Sequence, residues 1–246
     1  MNETIELLKR HRSIRKYKPD PVKPEHLREI LACAQMASSS SHMQAYSVIG
    51  VTDPKVKAQF AEWCGGQAYV ASCPLLLVWC ADLRRLDRIC KAQGADSSAD
   101  TTENLLVAVV DASLAAQNAA VAAESLGLGI VYIGSLRNRI AEVGRVLELP
   151  VHTVPLFGMC VGYPDQAPMK RPRLPVELVY HEERYRDIAP DDPALQRYDA
   201  EYSAYMSERT DGRVASSWTE QMRAKLSSPE RLHMKEYLNG QGLGRR

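Results

Sequence analysis

The chain has 246 residues, enough to bury a sizeable core as one large domain or as a domain with an appendage. Its formal net charge of +1 gives no global field to recruit nucleic acid, so the cations that matter act locally. Six cysteines without a CxxC pair, several inside apolar runs, read as buried thiols of a reducing cytoplasm and exclude a disulfide frame. No His or Cys spacing suits a metal. The opening MNETIELLKRH lacks the apolar stretch of a signal peptide, and apolar runs such as 73–81 are strand-length, so neither export nor a membrane is expected.

Taken in chain order, residues 4–10 predict a short helix. Pro24 near a first turn, with Leu27, Ile30, Leu31 and Ala34 on one face, predicts a second helix over 24–37. SVIGVT at 47–52 reads as a strand, and 54–64 as a helix stopped by Gly65 and Gly66, which accept a left-handed cap at little cost. CPLLLVWCA at 73–81 is the continuous apolar run of a strand buried on both faces. Helices and strands in this order place the chain in a mixed α/β class.

The longest predicted helix covers 102–126. Leu105, Val109, Ala112, Ala116, Ala119, Ala120 and Ala123 fall on or beside one stripe, and a helix apolar on most sides must be buried on most sides. It is either the core helix of a monomer or a dimer seam. So long a helix is hard to cover with this much chain, which points to the seam. A strand at 130–133, a helix at 138–147 and a last strand at 154–161 complete the body. Residues 166–175 are Pro- and Lys/Arg-rich and read as an extended loop. The polar, Tyr-rich remainder carries helical pieces at 192–209 and 218–226. It is expected to lack a core of its own and to wrap the main body or a partner.

Three polar clusters stand out against this frame: HRSIRKY at 11–17, SSSS at 38–41 and RPR at 171–173. A guanidinium fork and a hydroxyl match a phosphate, so the clusters suit one phosphorylated ligand bound where they converge. A solvated basic turn and a Pro-rich loop would look much the same from composition alone.

The same segments, together with GGQ at 65–67, AAESLGLGIVYIGSLRN at 122–138, PLFGMCVGYP at 155–164 and RPRLP at 171–175, resemble the flavin-dependent nitroreductases over nearly the whole chain. The resemblance is to the group of NADPH-dependent nitroreductases and flavin reductases. It implies an α+β sandwich with a central mixed β-sheet flanked by helices, built as an obligate homodimer with two FMN sites at its interface. Residues 1–165 would form the FMN-binding core. Residues 166–246 would form a phosphate-binding loop and a C-terminal helical excursion over the partner, within the same domain.

Carried over by position, the resemblance implies that His11, Arg12, Ser13 and Arg15 line the FMN, and that Arg171 and Arg173 hold its phosphate. Relatives often carry Lys at the Arg171 position; either cation serves a phosphate. Ser39, Ser40 and Ser41 would lie beside the flavin across the dimer, and Gln67 would bond the pyrimidine edge of its ring. Tyr132, Ile133, Gly134 and Ser135 match the turn facing the flavin, with a backbone N–H, at Gly134, meeting N5. Relatives often have a second glycine at Ser135, whose side chain is expected to crowd the site slightly. Arg15 would stabilise the charge that develops on the reduced ring. Arg209, and more loosely Arg213, match the cations that choose NADPH by its 2′-phosphate. Arg12 reads equally as a ligand or a structural ion pair, and Arg213 equally as a solvated loop residue.

The implied activity is reduction of nitroaromatics, quinones or free flavins with NADPH, by ping-pong transfer of electron pairs to small-molecule acceptors. A dedicated FMN reductase, a chromate or quinone reductase, and a non-enzymatic flavin-binding protein are the alternatives. The last needs no NADPH cation.

Overall fold

The computed structural model describes residues 2–246, which form two compact units. One extends to Pro168 and takes up Arg231–Arg246 again; the other is Met169–Glu230.

In the first unit, α1 (Glu3–Lys9) begins at Asn2, whose side chain accepts from the Ile5 N–H, and α2 (Pro24–Gln35) begins at a proline whose missing N–H costs nothing in a first turn. Then come β1 (Tyr46–Val51), α3 (Pro54–Trp63), α4 (Ala68–Ser72), β2 (Leu75–Asp82) and α5 (Arg84–Ala92). The long α6 (Thr102–Ser125) starts at Thr101, whose hydroxyl accepts from the Asn104 N–H. β3 (Gly129–Ile133), a 3-10 turn (Gly134–Arg139), α7 (Ile140–Val146) and β4 (Thr153–Gly162) follow. The helix expected over 138–147 is thus part 3-10 turn and part α-helix.

The strands lie in the order β1-β2-β4-β3, and every pair is antiparallel, so the expected mixed sheet is instead an antiparallel one among the described residues. β2 has a neighbour on both sides and is buried along nearly its whole length. The two-residue period of a strand sends Leu75, Leu77 and Trp79 to one face, with α2 and α6, and Leu76, Val78 and Cys80 to the other, with Phe60, Val70 and Val143. Helices therefore cover both faces.

Alanines 108, 112, 115, 116, 119, 120 and 123 of α6 are all buried, the small side chains letting the sheet and α2 approach closely. On its other side Leu106, Val110 and Leu114, one turn apart, are exposed. By length and composition α6 is long and apolar enough to cross a membrane, which corrects the expectation that the longest apolar runs are strand-length. In the fold 44% of that window is buried inside the chain, and α6 is a core helix.

The second unit holds an extended Pro-rich segment, then α8 (Pro193–Arg209) and α9 (Trp218–Leu226), the latter opened by a reciprocal cap between Ser217 and Glu220. Tyr198, Tyr202 and Met206 are buried there with Leu174, Tyr205 and Trp218 around them. The expectation of a coreless tail is corrected: the aromatic residues of α8 make a small core. The end of the chain, with α10 (Met234–Gly240), packs into the first unit through the fully buried Leu243, in line with the expectation that the tail meets the main body.

Candidate active site

The basic segment is set by the residue at its centre. Ile14 is buried, and its N–H donates to the Ile130 carbonyl at 2.8 Å. Its carbonyl accepts from the Tyr17 hydroxyl at 2.6 Å, and burial pushes that phenol up, so it stays a neutral donor. Only glycine fits beneath it, since a Cβ on Gly129 would lie 2.5 Å from Ile14 Cγ1. With Ile14 fixed inward, Arg15 is exposed and Ser13 half-buried.

Arg15 lies over the Tyr69 ring, 5.9 Å from its centroid, and the Tyr69 hydroxyl donates to Gln67 Oε1 at 2.8 Å. Tyr69 thus joins Arg15 to Gln67 and leaves the Gln67 amide NH₂ with no protein partner among the described residues. Upstream, His11 Nδ1 meets Glu124 Oε1 at 2.6 Å, at the end of α6. Arg12 is exposed without an ion pair among the described residues, beside a recess of about 220 Å³ lined also by Glu124, Leu128 and Pro164.

After β3 the chain turns sharply. Ile133 is buried, while Tyr132 stands outward, its ring edge-on to Phe157 at 5.5 Å. A Cβ on Gly134 would lie 3.3 Å from the Arg137 guanidinium, which donates to the Leu156 carbonyl. Burial and the nearby charge of Arg231 hold that guanidinium below its ordinary value. The Ser135 hydroxyl is buried without a well-formed hydrogen bond, close to the Cys64 thiol, which burial pushes up.

The serine loop is held from below. Ser40–His42 form a single 3-10 turn, with Ser40 and Ser41 exposed and Ser39 half-buried. The carboxylate of Asp111, in mid-α6 and 1% exposed, accepts from the Ser40 N–H and from the Ala45 N–H, each at 3.0 Å.

In the second unit, Arg171 lies over the rings of Tyr202 and Tyr205, at 5.7 and 6.0 Å. Arg173 folds back to donate to the Arg171 carbonyl at 3.0 Å. Both line a cavity of about 520 Å³ with Lys170, Glu201, Tyr205 and Glu208. Arg209 ends α8, exposed and without a side-chain partner among the described residues. Arg213 is tied to its own loop through the Thr210 carbonyl at 2.9 Å and Asp211 at 3.8 Å.

Arg15 and Gln67 are thus brought together through Tyr69, and Ser13 shares the segment of Arg15. Tyr69, Glu124 and Asp111 escaped the sequence reading. The signal for Asp111 was legible: a lone acid in the apolar run VVDASLAA needs an internal partner.

The site thus rests on an antiparallel sheet covered on both faces, with a cation and an amide joined through Tyr69. The chain belongs to the nitroreductase family, whose model matches residues 8–163, and the model of that family's C-terminal domain matches residues 171–246. It is 43% identical, over the full length of both chains, to the NADPH-flavin oxidoreductase of Vibrio harveyi. It is 42% identical to the oxygen-insensitive NADPH nitroreductase of Salmonella typhimurium, over 98% of each chain. Among solved structures, NfrA1 of B. megaterium superposes with a TM-score of 0.94 at 46% identity, covering 99% of this chain and all of that one.

Proposed function

We propose that the chain is an FMN-dependent oxidoreductase that uses NADPH to reduce nitroaromatics, quinones or free flavins, two electrons at a time and by ping-pong turnover. The observation that carries this reading is the Arg15–Tyr69–Gln67 group, a cation and a free amide donor set at one rim. That donor set fits FMN. An amide suits the pyrimidine edge of the ring, and a guanidinium suits the charge it gains on reduction.

FMN, when bound, supplies hydride acceptance and the passage of an electron pair. The residues of this chain supply position and charge. Gln67, oriented by Tyr69, donates to the ring edge, and Gly134 offers a backbone N–H where a side chain would press on Arg137. His11, held by Glu124, with Arg12, Ser13, Arg171 and Arg173, is assigned to the phosphate and the chain leading to it. Ser39, Ser40 and Ser41 are assigned to the flavin of a partner subunit, with Tyr132, Ile133 and Ser135 beside the ring. Arg209 is assigned to the 2′-phosphate of NADPH, and Arg213 to a lesser share of it.

The exposed stripe Leu106, Val110 and Leu114 on the small-residue helix supports a homodimer. The second unit is assigned to the excursion over the partner. Six free cysteines support a reducing, cytoplasmic setting.

The purified protein is expected to be a yellow dimer with about one FMN per subunit, bleached by NADPH and recoloured by a nitroaromatic, a quinone or free FMN. A flavin-loaded monomer in light scattering would remove the dimer, and colour that survives NADPH would turn the reading to a flavin-binding protein. Steady-state rates with the three acceptors decide among the alternatives.

Two arginine variants are expected to fail differently. Arg173→Ala should weaken FMN retention by about 1.5–3 kcal/mol, the scale of a hydrogen bond to a charged group. Arg15→Ala should retain more flavin and lower its reduction potential, because the cation favours the reduced, anionic ring. Equal flavin loss with unchanged potentials contradicts this division.

A further inference from the structure

We propose that Asp111 is the positioning residue of the serine loop, holding Ser39–Ser41 in the one shape that serves FMN. The inference rests on the flavin reading above and names a residue that the reading does not include. Between the two N–H groups that Asp111 accepts, the backbone is left-handed at three non-glycine residues: Ser41 (φ +47°), His42 (φ +58°) and Gln44 (φ +50°). Residues with a Cβ avoid this region, so such a run persists only where the surroundings impose it.

At its far end the loop meets the core, where Ala45 is buried, its carbonyl accepts from the Asp82 N–H at 3.0 Å, and Met43 packs partly against the same cluster. Ser40, Ser41 and His42 are exposed, and among the described residues their side chains make no hydrogen bond to the sheet; the His42 ring meets Gln44, within the loop itself. Arg85 donates to the Gln44 and Tyr46 carbonyls at 3.0 and 3.2 Å, from the exposed side. Among the described residues, the one buried side chain that ties the serine turn itself, at the loop's other end, is the Asp111 carboxylate, and its second oxygen also takes the Ala45 N–H. A carboxylate that accepts two N–H groups inside a protein is worth more than neutral contacts of the same shape, and it is costly to leave half-satisfied.

Helix α6 thereby has two jobs. Its exposed stripe faces outward as a seam, while Asp111, beside Val110, fixes a loop assigned to the flavin of the other subunit.

The test is Asp111→Asn, which keeps the shape but presents an NH₂ to one of the two N–H donors. Apoprotein titrated with FMN should bind roughly 10- to 100-fold more weakly than wild type, the effect of one unsatisfied buried donor felt through the loop. At saturating FMN, kcat per bound flavin should be unchanged, because Asp111 touches no reacting atom. A general structural loss would lower both quantities. An independent variant deletes the donor instead. Ser40→Pro removes the N–H that Asp111 accepts, at a position whose φ proline suits; it should melt somewhat earlier than Ser40→Ala, which lacks only the hydroxyl, and bind FMN more weakly at a temperature where both are folded. The proposal is overturned if Asp111→Asn binds FMN within about twofold of wild type. It is equally overturned if the Asn variant does not fold and Ser40→Pro matches Ser40→Ala. Wild-type protein that binds no FMN would overturn the flavin reading itself, an outcome seen before any variant is made.

Discussion

Replacing Arg209 with alanine is expected to raise the KM for NADPH strongly, leave NADH kinetics nearly untouched and change kcat little. The 2′-phosphate is the one group that separates the two nicotinamides, and its double charge suits a guanidinium. Arg209 ends α8 with no internal partner among the described residues, so its charge is available to a ligand. Arg213 spends its guanidinium on the Thr210 carbonyl and Asp211 and should matter less. A charge-assisted contact of about 1.5–3 kcal/mol corresponds to roughly 10- to 150-fold in kcat/KM for NADPH. Loss confined to KM denotes binding shared equally by ground and transition states. Equal losses with both nicotinamides would show that Arg209 shapes the protein and does not read the phosphate. An effect found in Arg213→Ala alone would move the assignment to that residue.

Gly129→Ala is expected to unfold the protein earlier and to strip its flavin. The new methyl would lie 2.5 Å from Ile14 Cγ1 and 2.8 Å from its Cβ, so a flexible side-chain tip cannot simply turn aside. Overpacking of this kind costs about 1–3 kcal/mol, or roughly 2–12 °C in Tm for a chain of this size. The displaced residue is the pin of the basic segment, so Ser13 and Arg15 move with it and FMN affinity falls more than stability alone requires. Gly50→Ala is the matched control in another strand: its Cβ would meet Leu75 Cδ1 at 3.7 Å, an ordinary contact. Thermal melts and FMN titration of the two variants, side by side, check the claim. If Gly129→Ala behaves like Gly50→Ala, Ile14 is not the pin.

Much of this architecture is legible in the sequence because burial leaves a periodic trace. The CPLLLVWCA run marks the central strand without ambiguity, and β2 falls inside it but for its last residue. Helix α5 is missed because charged residues dominate its short sequence, RRLDRICKA, and hide a narrow stripe of Leu86, Ile89 and Cys90. Leu86 packs against a buried cluster, and Asp87, 3% exposed, faces His152. The tail misled for the opposite reason. Its tyrosines look polar in a composition count, yet Tyr198 and Tyr202 bury their rings beside Met206 and spend their hydroxyls on the Pro172 carbonyl and Gln221. At the site, cations and glycines are visible as motifs. Their supports are visible at most in part: Asp111 betrays itself as a lone acid in an apolar run, but its pairing with the serine loop, like that of Glu124 with His11, joins residues far apart in the chain and leaves no local pattern.

Helix α6 also bears on how the chain is made. The elements that cover its small face, α2 and β2, precede it in the chain, and until they close on it α6 is a span-length apolar segment of mean hydropathy 1.6. The insertion machinery reads such a segment by the sum of its side chains, and an aspartate near the middle adds about 2.5–3.5 kcal/mol against entry into the bilayer. Asp111 occupies that place. The carboxylate that fastens a loop in the fold is thus also the residue that most raises the cost of bilayer entry for this segment.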